Sequence, residues 1–178
     1  MKNIILRHMN LQDLELYFEL TKPTRKYHDF NGPYYKKGTE EDLMTKIIEL
    51  KKSISNGQFD DNSLVIADKE TNTLIGEVSW YWKSKETHWL EIGIVIFNEN
   101  YWGYGIGYKA LELWITKLFK DKKEILRIGL STWSGNERMI RLAEKLGFLR
   151  EATYRNARIV NGEYFDSVSY GILRDEWN

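Results

Sequence analysis

Across residues 63–97, apolar and polar positions alternate in three short runs, SLVIAD, TLIGEVSWYW and HWLEIGIVIF. They are rich in β-branched and aromatic residues and are parted by KETN and KSKET, which predicts an antiparallel meander. Upstream the period is longer. IILRH reads as a first strand, and Asn10 with Asp13 then opens a helix carrying Leu11, Leu14 and Phe18 on one side. Thr39 with Asp42 opens a second helix, whose Leu43, Ile47, Leu50 and Ile54 recur at helical spacing until Asn56-Gly57 stops it. Downstream, Ala110, Leu111, Trp114 and Leu118 form the stripe of a third helix, and ILRIGLST follows as a strand. Ser134 and Glu137 in SGNE predict a capping box for a fourth helix, with Met139, Leu142, Ala143 and Leu146 inward and Gly147 at its end. Asn161-Gly162 between two alternating runs predicts a type I′ hairpin. The order implies an α/β (α+β) fold: one domain over residues 1–178, with a mixed central sheet of about seven strands and helices on both faces.

Composition narrows the function. A chain of 178 residues, 42% of them hydrophobic, buries one real core but rarely makes two domains. Lys plus Arg equals Asp plus Glu at 26 each, so no long-range field recruits nucleic acid or an anionic membrane, although a local basic patch can hold one phosphorylated ligand. Cysteine is absent and the three histidines, His8, His28 and His88, show no metal-ligand spacing, so no metal is expected. The apolar run in KNIILRHMNLQDLE is too short for a secretory h-region, and no stretch approaches the roughly 20 apolar residues of a membrane span. A soluble cytoplasmic protein is expected.

The segment NENYWGYGIGYKAL, residues 98–111, sets Gly103, Gly105 and Gly107 at alternate positions before the third helix. Bare glycines let backbone approach a ligand, and the free N–H groups of a helix start, with about half a positive charge between them, suit a diphosphate. A tight turn that needs left-handed residues is the other reading of the same glycines. Gly105, Gly107 and Ala110 satisfy G-x-G-x-x-A, but NENYW separates them from their strand and the next strand ends in Ser131-Thr132 instead of an acid. The dinucleotide reading therefore fails in context. A P-loop fails too, because no Gly-Lys-Ser/Thr follows.

The segment from Trp102 to Gly107 resembles the Q/R-x-x-G-x-G/A signature of the GNAT superfamily of N-acetyltransferases, which binds the diphosphate of acetyl-CoA at this strand-to-helix junction. Trp102 departs from the usual Gln or Arg, and YWG here is similar to the subgroup of ribosomal-protein alanine N-acetyltransferases. LEIGIVI before the loop, NERMIRLAEKLGFLREATYR after it and NGEYFDSVSYGILRDEW at the end resemble that subgroup's motifs as well. The resemblance covers most of the chain and is weakest over residues 21–62.

It implies an acetyl-CoA-dependent transfer to a primary amine by direct attack in a ternary complex. Trp102, Gly103, Tyr104, Gly105, Ile106 and Gly107 would cradle the diphosphate. Ile94, Val95 and Ile96 would lend backbone groups to the pantetheine arm, and Asn136 would contact that arm. Asn136 also reads as a residue that satisfies a helix end. Arg141 and Lys145 would meet phosphates, or form a solvated helix face. Such chemistry needs a base for the ammonium and a backbone donor for the oxyanion. Glu91, a lone carboxylate in the apolar LEIGIVI, is the expected base, with a structural hydrogen bond or ion pair as the alternative. The Val95 amide is the expected oxyanion donor. Tyr154 or water would protonate the thiolate, or the thiolate would leave unaided, since Ala143 and Met139 replace the family's usual hydroxyls.

RKYHDFNGPYY, residues 25–35, is unusually aromatic for a connection, and by resemblance it borders the acceptor site. Tyr27, Phe30, Tyr34 and Tyr35 would line that site or pin the loop to the body; His28 reads as a loop residue. Trp80, Trp82 and Trp89 read as cross-strand packing. The acceptor would be a small-molecule or peptide amine and the assembly a monomer or homodimer. A non-catalytic acyl-CoA-binding sensor or interaction module is the alternative function.

Overall fold

The computed structural model describes residues 3–177. Its strands are β1 (Ile4–Arg7), β2 (Ser63–Asp68), β3 (Leu74–Ser84), β4 (Trp89–Ile96), β5 (Arg127–Trp133), β6 (Leu149–Val160) and β7 (Glu163–Leu173). Four helices accompany them: α1 (Leu14–Thr21), α2 (Glu40–Ser55), α3 (Ile106–Asp121) and α4 (Glu137–Lys145). One seven-stranded sheet runs β1-β2-β3-β4-β5-β7-β6, and only the central β4–β5 pair is parallel. The element order and the mixed sheet follow the hydrophobic pattern.

Alternation along the strands divides two cores. Leu64, Ile66, Val78, Trp80, Leu90 and Ile92 point to the face covered by α3 and α4, where Ile106, Leu111, Trp114, Ile115 and Ala143 meet them. Val65, Leu74, Val95 and Phe97 face the other way, onto Tyr17 and Leu20 of α1, Tyr27 beyond it, and Leu43, Ile47 and Leu50 of α2. The second core is smaller, and α2 has no fully buried residue. Room is left on that side.

Local chemistry sets the boundaries. Thr39 and Asp42 form the expected capping box of α2. Asn161 and Gly162 take φ of +52° and +84°, which the I′ hairpin requires. Two expectations change. Asn10 caps a 3₁₀ turn over Leu11–Asp13, and α1 begins only at Leu14, so Leu11 is 48% exposed and the buried face is Leu14, Tyr17, Leu20 and Thr21. The cap of α4 is Asn136, whose side chain accepts from the Met139 N–H at 3.3 Å. Ser134 instead binds β7, its hydroxyl accepting from the Asp166 N–H at 3.0 Å.

Candidate active site

β4 and β5 are in register only at Leu90↔Ile128 and Glu91↔Gly129, whereas β4 stays paired with β3 as far as Ile96↔Gly76. Beyond Glu91 the two central strands diverge and one edge of β4 is free. Alternation decides which backbone groups face that gap. Phe97 N–H donates to the Ile75 carbonyl of β3 at 3.1 Å, and the Val95 carbonyl lies against Gly76. Val95 therefore turns its N–H and C=O toward β3, and Ile94 and Ile96 present theirs to the gap. The Val95 amide, expected to hold the oxyanion, points the wrong way for that task. The Ile96 carbonyl already accepts from the Trp102 indole N–H at 2.9 Å.

A cavity of about 610 Å³ runs from this edge to the start of α3 and across to α4. Ile94, Val95, Ile96, Trp102, Gly103 and Gly105 line it, as do Ile106, Gly107, Asn136 and Arg141; Tyr104 does not, and is exposed. The three glycines have different causes. Gly103 and Gly105 take φ of +83° and +77°, a region that costs other residues about 1–3 kcal/mol. Gly107 is bare because a Cβ there would stand 3.3 Å from Leu142 of α4. The first α3 amide with an intrahelical acceptor is that of Lys109, which donates to Gly105 at 3.1 Å, so the amides of residues 105–108 are left for a ligand.

The α4 wall is cationic. The Arg138 guanidinium stacks 4.6 Å from the Trp102 ring and 5.0 Å from Phe30, and those two rings meet edge to face at 5.7 Å. Arg141 pairs with Glu137 at 2.5 Å, and the Lys145 ammonium lies over Tyr108 at 5.0 Å. Asn136 also donates to the Phe30 carbonyl at 3.3 Å, which accepts the Trp133 indole N–H at 2.9 Å. Residue 30 of the aromatic connection is thereby tied to the β5–α4 junction.

A second cavity, of about 480 Å³, lies on the α1–α2 side and shares Tyr27, Asn31, Ile94 and Val95 with the first. Its sheet wall is Glu77, Ser79 and Gly93; across it stand Tyr17, His28, Asp42 and Lys46. Lys46 donates to the Tyr17 hydroxyl at 2.7 Å. Burial pushes the Glu77 carboxyl above its usual range, with Asp60 adding to the rise and Lys46 opposing it. Burial likewise raises the hydroxyls of Tyr17 and Tyr27. Among the described residues no group of three or more His, Asp or Glu side chains is disposed to hold a metal ion.

The model of the acetyltransferase (GNAT) domain family matches residues 3–149. The chain belongs to the GNAT acetyltransferase family. An uncharacterized N-acetyltransferase of Bacillus subtilis, YnaD, is 27% identical over 99% of this chain and 97% of its own length. The putative ribosomal N-acetyltransferase YdaF of the same organism is 33% identical over 59% of this chain and 56% of its own. Among solved structures, spermidine N-acetyltransferase from Vibrio cholerae, in complex with CoA and spermine, superposes with a TM-score of 0.75 at 20% identity, covering 97% of this chain and 96% of that one.

Within this GNAT domain the remaining expected residues separate. Glu91 is 2% exposed and lines neither cavity; it accepts from the Tyr81 hydroxyl at 2.5 Å and from Ser131 at 3.2 Å, with Lys83 at 3.5 Å. Tyr34 lies under the Arg158 guanidinium at 4.6 Å and against Tyr35 at 4.8 Å, and neither tyrosine lines either of these two cavities. Tyr154 faces solvent on β6, opposite Ser167, outside both cavities. Tyr27 lines both cavities, and Phe30 lines the first. His28, expected merely in a loop, stacks on Tyr27 at 4.0 Å and lines the second cavity. Glu77, Lys46 and Arg138 escaped the sequence reading. Glu77 in LIGEVSW carried the same signal as Glu91, a lone carboxylate in an apolar strand.

Proposed function

We propose that this protein transfers the acetyl group of acetyl-CoA to a primary amine. The observation that carries the reading is the meeting of two cavities at Ile94 and Val95, beside the free edge of β4. One ligand can reach that edge from the glycine loop and another from the α1–α2 side. Direct attack then needs no covalent enzyme intermediate.

The residues fit the cofactor. A Cβ at Gly103 would meet nothing within 4 Å, so the loop beside the α3 start is open to a diphosphate, and Arg138, Arg141 and Lys145 face it from α4. Acetyl-CoA supplies an acyl group already activated as a thioester. Ile94 and Ile96 hold backbone amides toward the gap, where a carbonyl oxygen gaining charge is stabilised by donors fixed in advance. Tyr27 and Asn31 stand at the junction of the cavities and restrict water there. The Glu77 carboxylate in the second cavity gives a cationic amine an oppositely charged partner. Spermidine and ribosomal protein, named for two similar proteins, mark the range of acceptors from small molecule to peptide.

The test is CoA release from acetyl-CoA with a panel of amines, alongside calorimetry of acetyl-CoA binding. Turnover with at least one amine is expected. Binding without turnover on any amine would leave an acyl-CoA-binding module.

A further inference from the structure

Two carboxylates on one face of the central sheet have opposite surroundings. Glu91 has its oxygens committed to Tyr81 and Ser131 and a lysine beside it. Glu77 lies four residue positions further along the β3–β4 ladder, as the partner of Val95. Among the described residues its carboxylate accepts no hydrogen bond, although it is largely desolvated and lines the second cavity. The residue is half-buried and opens into the cavity, so a cationic ligand there would meet a carboxylate that no side chain among the described residues has claimed.

We infer that Glu77 is the base that takes a proton from the acceptor ammonium, and that Glu91 is a positioning residue that holds β4 and β5 where they diverge. This rests on the acetyl-transfer reading. Directly opposite residues of an antiparallel pair share a face with Cβ atoms about 5 Å apart, which puts Glu77 beside Val95, where the cavities meet. Ser79 and Gly93 continue the wall, and Gly93 is bare where a Cβ would come within 3.0 Å of the Ser79 hydroxyl. A slim amine can pass there.

The step balances. R–NH₃⁺ gives one proton to the Glu77 carboxylate; the freed amine forms a C–N bond to the acetyl carbon, and the C–S bond breaks. The second proton lost by nitrogen goes to the departing thiolate, and Glu77 returns its own to solvent. Facing Glu77 are Tyr17 from α1, Tyr27 and His28 from the connection, Asp42 and Lys46 from α2, and Asp60 before β2. Lys46 is the cation that opposes the rise burial imposes on the carboxyl, and it also donates to the Tyr17 hydroxyl.

The experiment compares Glu77→Gln and Glu91→Gln in the full chain, after circular dichroism shows each folded, with the fastest of three probe acceptors: spermidine, an alanine-initiated peptide and glucosamine. Glu77→Gln should lower kcat by about 100-fold or more at pH 7 while leaving acetyl-CoA affinity within about twofold. Its rate should climb about tenfold per pH unit as free amine replaces base catalysis, whereas the native enzyme levels off above its carboxylate limb. Glu91→Gln should keep that limb, and Glu77→Asp should recover part of the rate. Loss of the limb in Glu91→Gln with its retention in Glu77→Gln overturns the inference and returns the base role to Glu91. A Glu77→Gln rate within about threefold of native at pH 7 overturns it as well. Absence of acetyl-CoA binding, or of turnover on all three amines, instead defeats the transferase reading on which it rests.

Discussion

Gly76 on β3 is the position where one methyl group tests the active-site geometry most directly. A Cβ there would stand 2.2 Å from the Val95 carbonyl oxygen and 3.1 Å from the Ile96 Cα, both backbone atoms with no rotamer to yield. Ordinary contact begins near 3.4 Å, so β3 and β4 must part locally by about 1 Å. Overpacking of that size costs about 1–3 kcal/mol. The displaced residues, Ile94 to Ile96, carry the amides proposed to meet the thioester, and a 1 Å misplacement of reacting groups costs about 100-fold in rate. Gly76→Ala should thus lower kcat about 100-fold and Tm by several degrees, with the α3 loop still binding acetyl-CoA. The assays are CoA release, thermal unfolding and calorimetry. A folded variant with native kcat would refute the claim that the β4 backbone at this point sets the reaction geometry.

Gly105→Val should abolish acetyl-CoA binding by calorimetry, because it puts a β-branched side chain at a φ of +77° among the amides that open α3. Arg138→Ala, which frees the Trp102–Phe30 pair of its cation, should raise the KM for acetyl-CoA about tenfold and leave kcat nearly unchanged. Glu91→Ala should cost about 1.5–3 kcal/mol in denaturant unfolding through the lost hydrogen bonds to the carboxylate from Tyr81 and Ser131, whose exposed hydroxyls water can then satisfy. Burial raises the folded pKa of Glu77 above its unfolded value of 4.5, so ionisation disfavours the fold. Its contribution to stability is therefore greatest below about pH 4.5 and lost as pH rises through the raised pKa; Glu77→Gln should gain Tm over native at pH 7 and little at pH 4.

The elements were legible wherever one local rule decided them. The I′ turn at Asn161-Gly162, the box at Thr39 and Asp42 and the β2–β4 meander each depend on residues a few positions apart. Ser134 misled because its hydroxyl has a distant partner, the Asp166 amide on β7, leaving Asn136 to cap α4. The three glycines were legible as a group, but a Cβ at Gly107 would press on Leu142, a contact that exists only once α4 is docked. Arg138 had no sequence signal at all. Its place between Trp102 and Phe30 joins three segments that meet only in the fold.

The pair of carboxylates shows what a strand pattern can and cannot carry. Alternation makes Glu77, Ser79 and Tyr81 share a face with Glu91, Gly93 and Val95, so both acids are expected to look the same way. It does not say what covers that face. Toward the Glu91 end Tyr81 and Lys83 reach the carboxylate from β3 and Ser131 from β5, and each oxygen finds a donor. Toward the Glu77 end α1 and α2 stand over the sheet with a cavity of about 480 Å³ between, and among the described residues no side chain donates to the carboxylate. Equal side chains on one face thus acquire unequal chemistry from the helices above them, and of those helices α2 lies in residues 21–62, where the resemblance is weakest. In the reading proposed above, β3 supplies the carboxylate and the helices over it shape the space that an acceptor amine would enter.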